Sequence, residues 1–105
     1  MQTDKIRGLL GLARRANKIS LGHDAVLDAM KAGTAELCLL SADASERLYK
    51  ELVRASENLT QARVPIYITD YTMDGFGMCL GAKKTAVLSV NDRGFAKRIT
   101  EELTV

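Results

Sequence analysis

The residues best suited to binding chemistry lie where a glycine opens a short apolar helix. Gly22 precedes a helix-like segment that runs to Ala32, and Gly33 follows that segment. The first N–H groups of a helix have no partner within the helix, and the helix dipole adds partial positive charge there. Such a corner is a natural site for a phosphate group. His23 and Asp24 would stand beside the bound phosphate.

A second candidate for phosphate binding is the basic segment GAKKT, residues 81–85. Lys83 and Lys84 could neutralise phosphate charge, and Gly81 lets the backbone leave the preceding helix in a tight turn. Lys18 lies just before Gly22 in the chain and could serve the same corner. A solvent-exposed basic turn without any ligand would have the same composition.

The composition is that of an ordinary globular protein. The 105 residues are 47% apolar and 27% charged, a balance that disfavours disorder. A net charge of +2 is too small for a protein that coats nucleic acid without selectivity, so the placement of charges matters more than their sum. No segment has the length of a membrane span or the pattern of a signal peptide. We therefore expect one cytoplasmic domain over residues 1–105, with no membrane partner.

Patterns typical of enzymes and metal sites are weak. Cys38 and Cys79 lack a CxxC spacing and neighbouring ligand-type residues, which indicates reduced, packed thiols. His23 is the only histidine, so acid–base and metal chemistry have few residues to use. The segment GFGMCLG, residues 75–81, has the spacing G-x-G-x-x-x-G rather than that of a dinucleotide-binding turn. We expect no metal, no cofactor and no enzymatic activity.

Hydrophobic periodicity predicts helices and strands in alternation. Thr3 would cap the first helix, Asp43 with Glu46 would form a capping box for the third, and Asn91 or Asp92 would cap the last. The predicted helices cover about residues 4–16, 22–32, 44–62, 72–80 and 93–103, and the predicted strands cover residues 19–21, 36–42, 66–69 and 85–90. Four short strands between five helices imply a three-layer α/β/α sandwich around a four-stranded mixed sheet.

Two further expectations concern the helix faces. On the outer face of the third helix, Glu51 is expected to pair with Arg47, or Glu46 with Lys50. The apolar residues of the fourth helix are expected to fill the core: Met73, Phe76 and Met78.

Three segments of the chain resemble one protein family. They are GHDAVLDAMKAGTAELCLLSADAS at residues 22–45, FGMCLG at 76–81 and VNDRGFAKRI at 90–99. The first is similar to a pattern of the kink-turn-binding ribosomal protein family, which includes an archaeal large-subunit member and a eukaryotic thirty-e relative. The other two look closer to its small bacterial YlxQ-like branch. The resemblance covers nearly the whole chain and implies a sandwich fold like that of the thirty-e relative. It also implies that the protein binds structured RNA, with ribosomal RNA as a possible partner, and has no enzymatic activity.

The resemblance also implies which residues meet the RNA. The family contacts guanine edges of tandem sheared G·A pairs at the position of Asp24, commonly through Asn, and its loop at the position of residues 81–85 closes over extruded bases and backbone. A histidine at the helix start could add a hydrogen bond to the RNA or stack on it. The candidate RNA-binding residues are Lys18, Gly22, His23, Asp24, Lys31, Gly81, Lys83 and Lys84.

The helix that starts after Gly22 departs from the family pattern in its charge. An ionised Asp24 can accept hydrogen bonds from guanine N1–H and N2–H, but it repels nearby phosphate. The family often has Glu at the next position and Lys four positions beyond, where this chain has Ala25 and Asp28. An acidic helix face would suit a basic partner. The alternative function is therefore a protein-interaction adaptor in ribosome assembly, with ribosome-associated proteins as partners.

Basic residues outside these segments allow two interpretations. They are Arg14 and Arg15 before Lys18, and Arg93, Lys97 and Arg98 on the final helix. A solvated face explains each cluster by itself, and an extended RNA contact is the alternative.

Overall fold

The computed structural model describes residues 1–59 and 63–104, and this part of the chain alternates five helices with four strands. None of the described helices is both long enough and apolar enough to cross a membrane. In chain order the elements are α1 (Thr3–Arg15), β1 (Ile19–Leu21), α2 (His23–Ala32), β2 (Leu37–Leu40), α3 (Glu46–Glu57), β3 (Ile66–Ile68), α4 (Met73–Leu80), β4 (Val87–Val90) and α5 (Arg93–Leu103).

The four strands form one mixed sheet in the order β1-β4-β2-β3. Strand β4 is antiparallel to both of its neighbours, with Val90 opposite Ile19 of β1 and opposite Leu37 of β2. Strand β3 runs parallel to β2, with Ile66 opposite Cys38. The mixed four-stranded sheet predicted from the sequence is confirmed.

The two central strands are buried on both faces, because helices cover the sheet from both sides. Successive side chains of a strand point to opposite faces. Leu37 and Leu39 accordingly pack with residues of α1, α4 and α5. Cys38 and Leu40 pack with residues of α2 and α3. This arrangement is the three-layer α/β/α sandwich that the sequence predicted.

The strand directions give the sheet two distinct ends. At one end, β1 and β2 finish and β4 begins, and the Gly22 N–H donates to the Val87 carbonyl at 3.0 Å. We call this the Gly22 end. At the other end, β1 begins and β4 finishes, and the Asn91 N–H donates to the Lys18 carbonyl at 2.7 Å. We call this the Lys18 end.

Two helix caps differ from the prediction. Thr3 is the first residue of α1 rather than its cap, and Gln2 precedes it without a side-chain capping bond. Ser45, not Asp43, caps α3 by accepting from the Leu48 N–H at 3.1 Å. Asp43 is engaged elsewhere, because its Oδ1 accepts from the Met73 N–H at the start of α4 at 2.9 Å. The last cap is confirmed as Asp92, which accepts from the Phe95 N–H at 2.9 Å.

Several element bounds also differ from the prediction. Helix α3 ends at Glu57, with Asn58 as its C-cap, and the predicted end near Ala62 lies outside the described residues. Strands β2 and β4 are shorter than predicted. The backbone just beyond them bonds to loops and to α4 instead: the Ala42 N–H donates to the Tyr71 carbonyl, and the Thr85 N–H donates to the Met73 carbonyl.

The prediction that Met78 fills the core is wrong. Met78 is 85% exposed, whereas Phe76 is fully buried. Two residues along an α-helix correspond to a rotation of about 200°, so a neighbour at that spacing faces the opposite side. Phe76 and Leu80, four residues apart, form the inner face of α4, and Met73 is partly buried.

Candidate nucleic-acid interface

The corner between β1 and α2 presents an uncapped helix start. Gly22 has φ +89° and ψ 167°, a backbone conformation that L-residues with a side chain rarely adopt. A Cβ built on Gly22 would meet nothing within 4 Å, so backbone conformation rather than space requires the glycine. Gly22 makes no side-chain capping bond to α2. The free N–H groups in the first turn of α2 therefore remain available to an anion.

His23 links the start of α2 to α3. Its Nε2 lies 2.8 Å from Glu51 Oε1, and its Nδ1 lies 3.1 Å from Asp24 Oδ1. Both partners are carboxylate oxygens, which only accept, so a doubly protonated His23 is the form that satisfies both contacts. Glu51, followed by Asp24, raises the pKa of His23 above its ordinary value. When it is protonated, the imidazole offsets part of the negative charge at this corner.

The contact between Glu51 and His23 is not predicted from the sequence. Of the two expected pairs on α3, Glu46 and Lys50 do pair, at 3.2 Å. Glu51 instead bonds to His23, which lies 28 positions earlier in the chain. No local spacing could have indicated that contact.

The carboxylates of α2 stand open to solvent. The Asp24 side chain is 98% exposed, and Asp28, one turn further along the same helix, is also exposed. A carboxylate in the first turn of a helix interacts favourably with the helix dipole. Asp24 thus competes electrostatically with a phosphate at the start of α2, while its carboxylate oxygens can accept from hydrogen-bond donors such as a guanine edge.

The loop between α4 and β4 holds Lys83 and Lys84 at the Gly22 end. Gly81 ends α4 in the left-handed conformation, with φ 64° and ψ 35°. The Thr85 N–H donates to the Met73 carbonyl at 3.1 Å, and the Thr85 hydroxyl donates to the Lys83 carbonyl at 2.9 Å. Both lysine side chains are exposed. The loop backbone is therefore tied down while its two charges face solvent.

Gly77 brings the lysine loop against α4. The Ala82 N–H donates to the Gly77 carbonyl at 2.8 Å. A Cβ built on Gly77 would lie 2.5 Å from the Lys83 carbonyl oxygen and 2.9 Å from that of Ala82. Only a glycine admits this close approach of two backbones. Within the segment of residues 75–81, Gly77 is thus the glycine that packing requires, whereas Gly81 is required by its positive φ.

Asp43 connects the end of β2 with α4 and the lysine loop. Besides accepting from the Met73 N–H, it lies near enough to Lys84 for the two charges to interact. The nearby Ser41 hydroxyl, the Met73 N–H and the charge of Lys84 hold the pKa of Asp43 below its ordinary value. The Met73 N–H makes the hydrogen bond of good geometry, whereas the buried Ser41 Oγ makes none within the described part of the chain. Asp43 is therefore ionised at neutral pH and helps to position the start of α4.

The structure brings five of the eight candidate residues to the Gly22 end, namely Gly22, His23, Asp24, Lys83 and Lys84, and Gly81 begins the loop that carries the two lysines. It does not bring the other two there. Lys18 precedes β1 and bonds through its carbonyl to Asn91, which lies at the Lys18 end. Lys31 lies in the last turn of α2, before the C-cap Gly33. A ten-residue helix is about 15 Å long, so Lys31 stands far from Asp24.

The two thiols lie on opposite sides of the sheet. Cys38 packs among residues of α2 and α3, and its burial raises the pKa of the thiol to about 12. Cys79 is partly buried and packs against the core on the side of α1, α4 and α5. Within residues 1–59 and 63–104, no group of three or more His, Cys, Asp and Glu residues is arranged to hold a metal ion.

Comparisons with known proteins agree with this fold. The sequence model of the ribosomal protein L7Ae/L30e/S12e/Gadd45 family matches residues 4–100. The RNA-binding protein YlxQ of Bacillus subtilis (strain 168) is 33% identical over 91 residues, which cover 87% of each chain. The structure of a Bacillus halodurans protein of unknown function has a TM-score of 0.86 and 27% identity, and covers 96% of this chain and 98% of that one. A Giardia lamblia 15.5 kD RNA binding protein has the same fold, with a TM-score of 0.76 and 20% identity, over 98% of this chain and 85% of that one.

Proposed function

This chain belongs to the ribosomal protein L7Ae/L30e/S12e/Gadd45 family, and we propose that it binds structured RNA of the kink-turn type through the Gly22 end of its sheet. The observation that carries the proposal is the convergence of the uncapped start of α2 with the loop of Lys83 and Lys84. The hydrogen bond from the Gly22 N–H to the Val87 carbonyl joins the start of α2 to the first residue of β4, three positions after Lys84.

Each part of the Gly22 end supplies a different contact. The first N–H groups of α2 donate to phosphate oxygens, as helix starts do in many anion sites. Lys83 and Lys84 neutralise backbone charge and release counterions. Exposed bases in a bent RNA offer their edges to side chains, because an unbroken A-form helix hides them in a deep, narrow major groove. Asp24 accepts from guanine N1–H and N2–H of a sheared G·A pair.

Because Asp24 is negatively charged, it favours selectivity for RNA bases over high affinity for RNA. An asparagine at this position would both donate and accept, whereas Asp24 only accepts. Its negative charge also repels phosphates that the α2 start attracts, and Asp28 adds to this repulsion. His23 offsets part of that charge when it is protonated. We infer weaker phosphate binding at this corner than in a relative with asparagine and lysine at the two aspartate positions.

The proposal extends to partners, domain organisation and location. The RNA partner we propose is ribosomal RNA or another translation-associated RNA, bound in the cytoplasm by a single domain of residues 1–105 that carries out no catalysis. The adaptor alternative is not favoured, because the B. subtilis relative that matches most of the chain is itself named as an RNA-binding protein.

The experiment is a binding titration with three RNAs: a kink-turn RNA, the same RNA with Watson–Crick pairs in place of its G·A pairs, and a straight duplex of equal length. The wild-type protein should prefer the first. Lys83→Ala/Lys84→Ala should weaken binding and lower the slope of log affinity against log salt by up to about two units, because two phosphate contacts are lost.

The matched control is Arg54→Ala/Arg63→Ala, which removes two exposed cations on the other side of the sheet from the lysine loop. It should leave both affinity and salt slope nearly unchanged. Equal affinity of the wild-type protein for all three RNAs would contradict the proposed kink-turn recognition. An unchanged slope in the lysine variant would place the RNA elsewhere on the protein.

A further inference from the structure

Five exposed cations gather at the Lys18 end, away from the interface proposed above. They lie on the last turn of α1, the start of β1 and the first two turns of α5, and we call them the basic end: Arg14, Arg15, Lys18, Arg93 and Lys97. The bond from the Asn91 N–H to the Lys18 carbonyl joins β1 to the segment that leads into α5. The Gln2 N–H donates to the Glu102 carbonyl at 3.0 Å, so α1 and α5 run antiparallel. The end of α1 therefore lies near the start of α5.

The cations of the basic end are not neutralised by the protein. In the described part of the chain, ion pairs join His23 to Asp24, His23 to Glu51, and Lys50 to Glu46. None of these pairs includes a residue of the basic end. Residues 14–18 and 91–98 contain one carboxylate, Asp92. Its Oδ2 accepts from the Phe95 N–H at 2.9 Å as the cap of α5. The positive charge of this surface is thus left for an external partner.

Helix stability does not explain this charge pattern. Arg14 and Arg15 in the last turn of α1 interact favourably with the helix dipole. Arg93, by contrast, is the first residue of α5, where the dipole is itself positive, and no acidic residue stands in that turn. Lys97 follows Arg93 at spacing i, i+4, where like charges repel. Because Lys97 also stands one turn before Glu101, a favourable spacing, Arg93 is the cation of α5 whose position its own helix does not explain.

The Gly22 end has the opposite balance. Lys83 and Lys84 stand there with several exposed carboxylates, Asp24 and Asp43 among them. Such a mixed surface can select base edges, but it attracts a polyanion weakly. Non-selective affinity for nucleic acid comes mainly from neutralised phosphates. The basic end supplies the cations that the Gly22 end lacks.

We propose that the basic end is a second RNA-binding surface, which contacts the phosphate backbone of a double-stranded segment while the Gly22 end recognises the bent element. The inference rests on the proposed function at the Gly22 end. The two surfaces lie at opposite ends of β1, where Lys18 and Gly22 are about 13 Å apart along the extended chain. The Cα trace measures 34 × 28 × 25 Å, so a stem that flanks the bent element and extends along the protein can reach both. A separate RNA molecule, instead of a flanking stem, would present the same phosphate groups to the basic end.

The test compares the full-length wild-type chain with Arg14→Gln/Lys18→Gln/Arg93→Gln. The control variant is Lys5→Gln/Arg54→Gln/Arg63→Gln, which removes the same charge from exposed residues that are assigned to neither surface. Each protein is titrated over a range of salt with a kink-turn RNA that has minimal stems, and with the same RNA carrying a stem long enough to follow the protein. Circular dichroism melting checks that all three proteins are folded.

We expect the wild-type protein to bind the long-stem RNA more tightly and with a steeper salt slope than the short one. The basic-end variant should lose this difference, with the long-stem slope falling by up to about two to three units, while its binding to the short RNA changes less than about twofold. The control variant should keep the wild-type difference. Identical slopes for the two variants on the long-stem RNA would overturn the proposal.

A second arm identifies the source of the phosphates. An unconnected duplex is added to the complex with the short RNA. A ternary complex that forms with the wild-type protein and not with the basic-end variant shows that a second RNA molecule binds there. If Lys83→Ala/Lys84→Ala weakens binding of the short RNA but the basic-end variant binds every RNA as the wild type does, only the inference fails. If the wild-type protein binds no RNA, the proposed function and the inference fail together.

Discussion

Replacing Gly77 by alanine tests most sharply how the lysine loop is held. The added Cβ would lie 2.5 Å from the Lys83 carbonyl oxygen, about 0.9 Å inside the 3.4 Å of an ordinary contact. The nearest obstacles are backbone atoms, so the loop must move away from α4 as a unit. The hydrogen bond from the Ala82 N–H to the Gly77 carbonyl would then lengthen or break.

The expected loss of stability follows from three contributions. Overpacking of a tight contact costs about 1–3 kcal/mol, and a lost backbone hydrogen bond costs about 1 kcal/mol. Alanine gains about 0.5–1 kcal/mol over glycine in a helix interior. The net destabilisation is about 1–3 kcal/mol, which for a chain of this size lowers the Tm by roughly 5–20 °C.

Gly75→Ala is the matched control, because it adds the same methyl group two positions earlier in the same helix. Its Cβ would lie 3.4 Å from the Thr72 Oγ1 and 3.6 Å from Tyr71 Cδ1, which are ordinary contacts. The control should therefore raise the Tm by a few degrees through helix propensity alone.

Thermal melting of the two variants and a salt titration with kink-turn RNA measure both effects. Gly77→Ala should lower the Tm, and it should also reduce the salt slope through displacement of Lys83 and Lys84. A Tm for Gly77→Ala that rises as it does for Gly75→Ala would refute the close-contact argument.

The remaining predictions concern protonation, base recognition and thiol exposure. The pKa of His23 is raised in the folded state, so the stability that His23 contributes is present below the unfolded pKa of about 6.5 and is lost as pH rises through the folded pKa. The Tm difference between wild type and His23→Gln should thus be larger at pH 5.5 than at pH 8.5. An equal difference at the two pH values would contradict the bridge to Glu51. Asp24→Asn should strengthen the preference for RNA with sheared G·A pairs by about 1–3 kcal/mol at any salt concentration, by analogy with groove readout, and a gain that is equal for straight duplex would contradict the assigned base contact. In the native protein a thiol reagent should modify the partly buried Cys79 first and the buried Cys38 only on unfolding. Cys79→Ser should therefore lose the fast phase of thiol labelling. Rapid labelling of that variant would be inconsistent with the structure.

The sheet and helices were predictable because their signals are local. Apolar residues at helical spacing identified α1, α3 and α5, and the buried run around Cys38 identified β2. Glycine positions also carried local information, since Gly33 and Gly81 both end helices in the left-handed conformation. These features depend on residues within one or two turns of each other, so the chain could be divided correctly without knowledge of its packing.

The errors arose where distant residues compete for the same group. Asp43 was predicted to cap α3, but the Met73 N–H, 30 positions away, engages its carboxylate and leaves the cap to Ser45. Glu51 was expected to pair along its own helix and instead meets His23. Neither choice can be made from spacing alone, because both partners are chemically suitable and the packing of α2 and α4 decides between them.

The candidate site was predicted in part for the same reason. Gly22 and the lysine loop meet because β1 ends beside the start of β4, which the order of predicted strands does not specify. Lys18 is close to Gly22 in the sequence, yet the extended strand between them separates the two residues by about 13 Å. Nearness along an extended strand is a poor guide to nearness at a site.

The most direct measurement of the central claim is the change in backbone amide NMR signals when a kink-turn RNA is added to the isotope-labelled protein. The account predicts the largest shifts at residues 22–25 and 81–86, where the start of α2 and the lysine loop meet, with smaller changes in the core strands. These shifts should shrink when the G·A pairs of the RNA are replaced. Shifts that avoid both segments, or that are the same for a straight duplex, would contradict the claim that the Gly22 end recognises bent RNA.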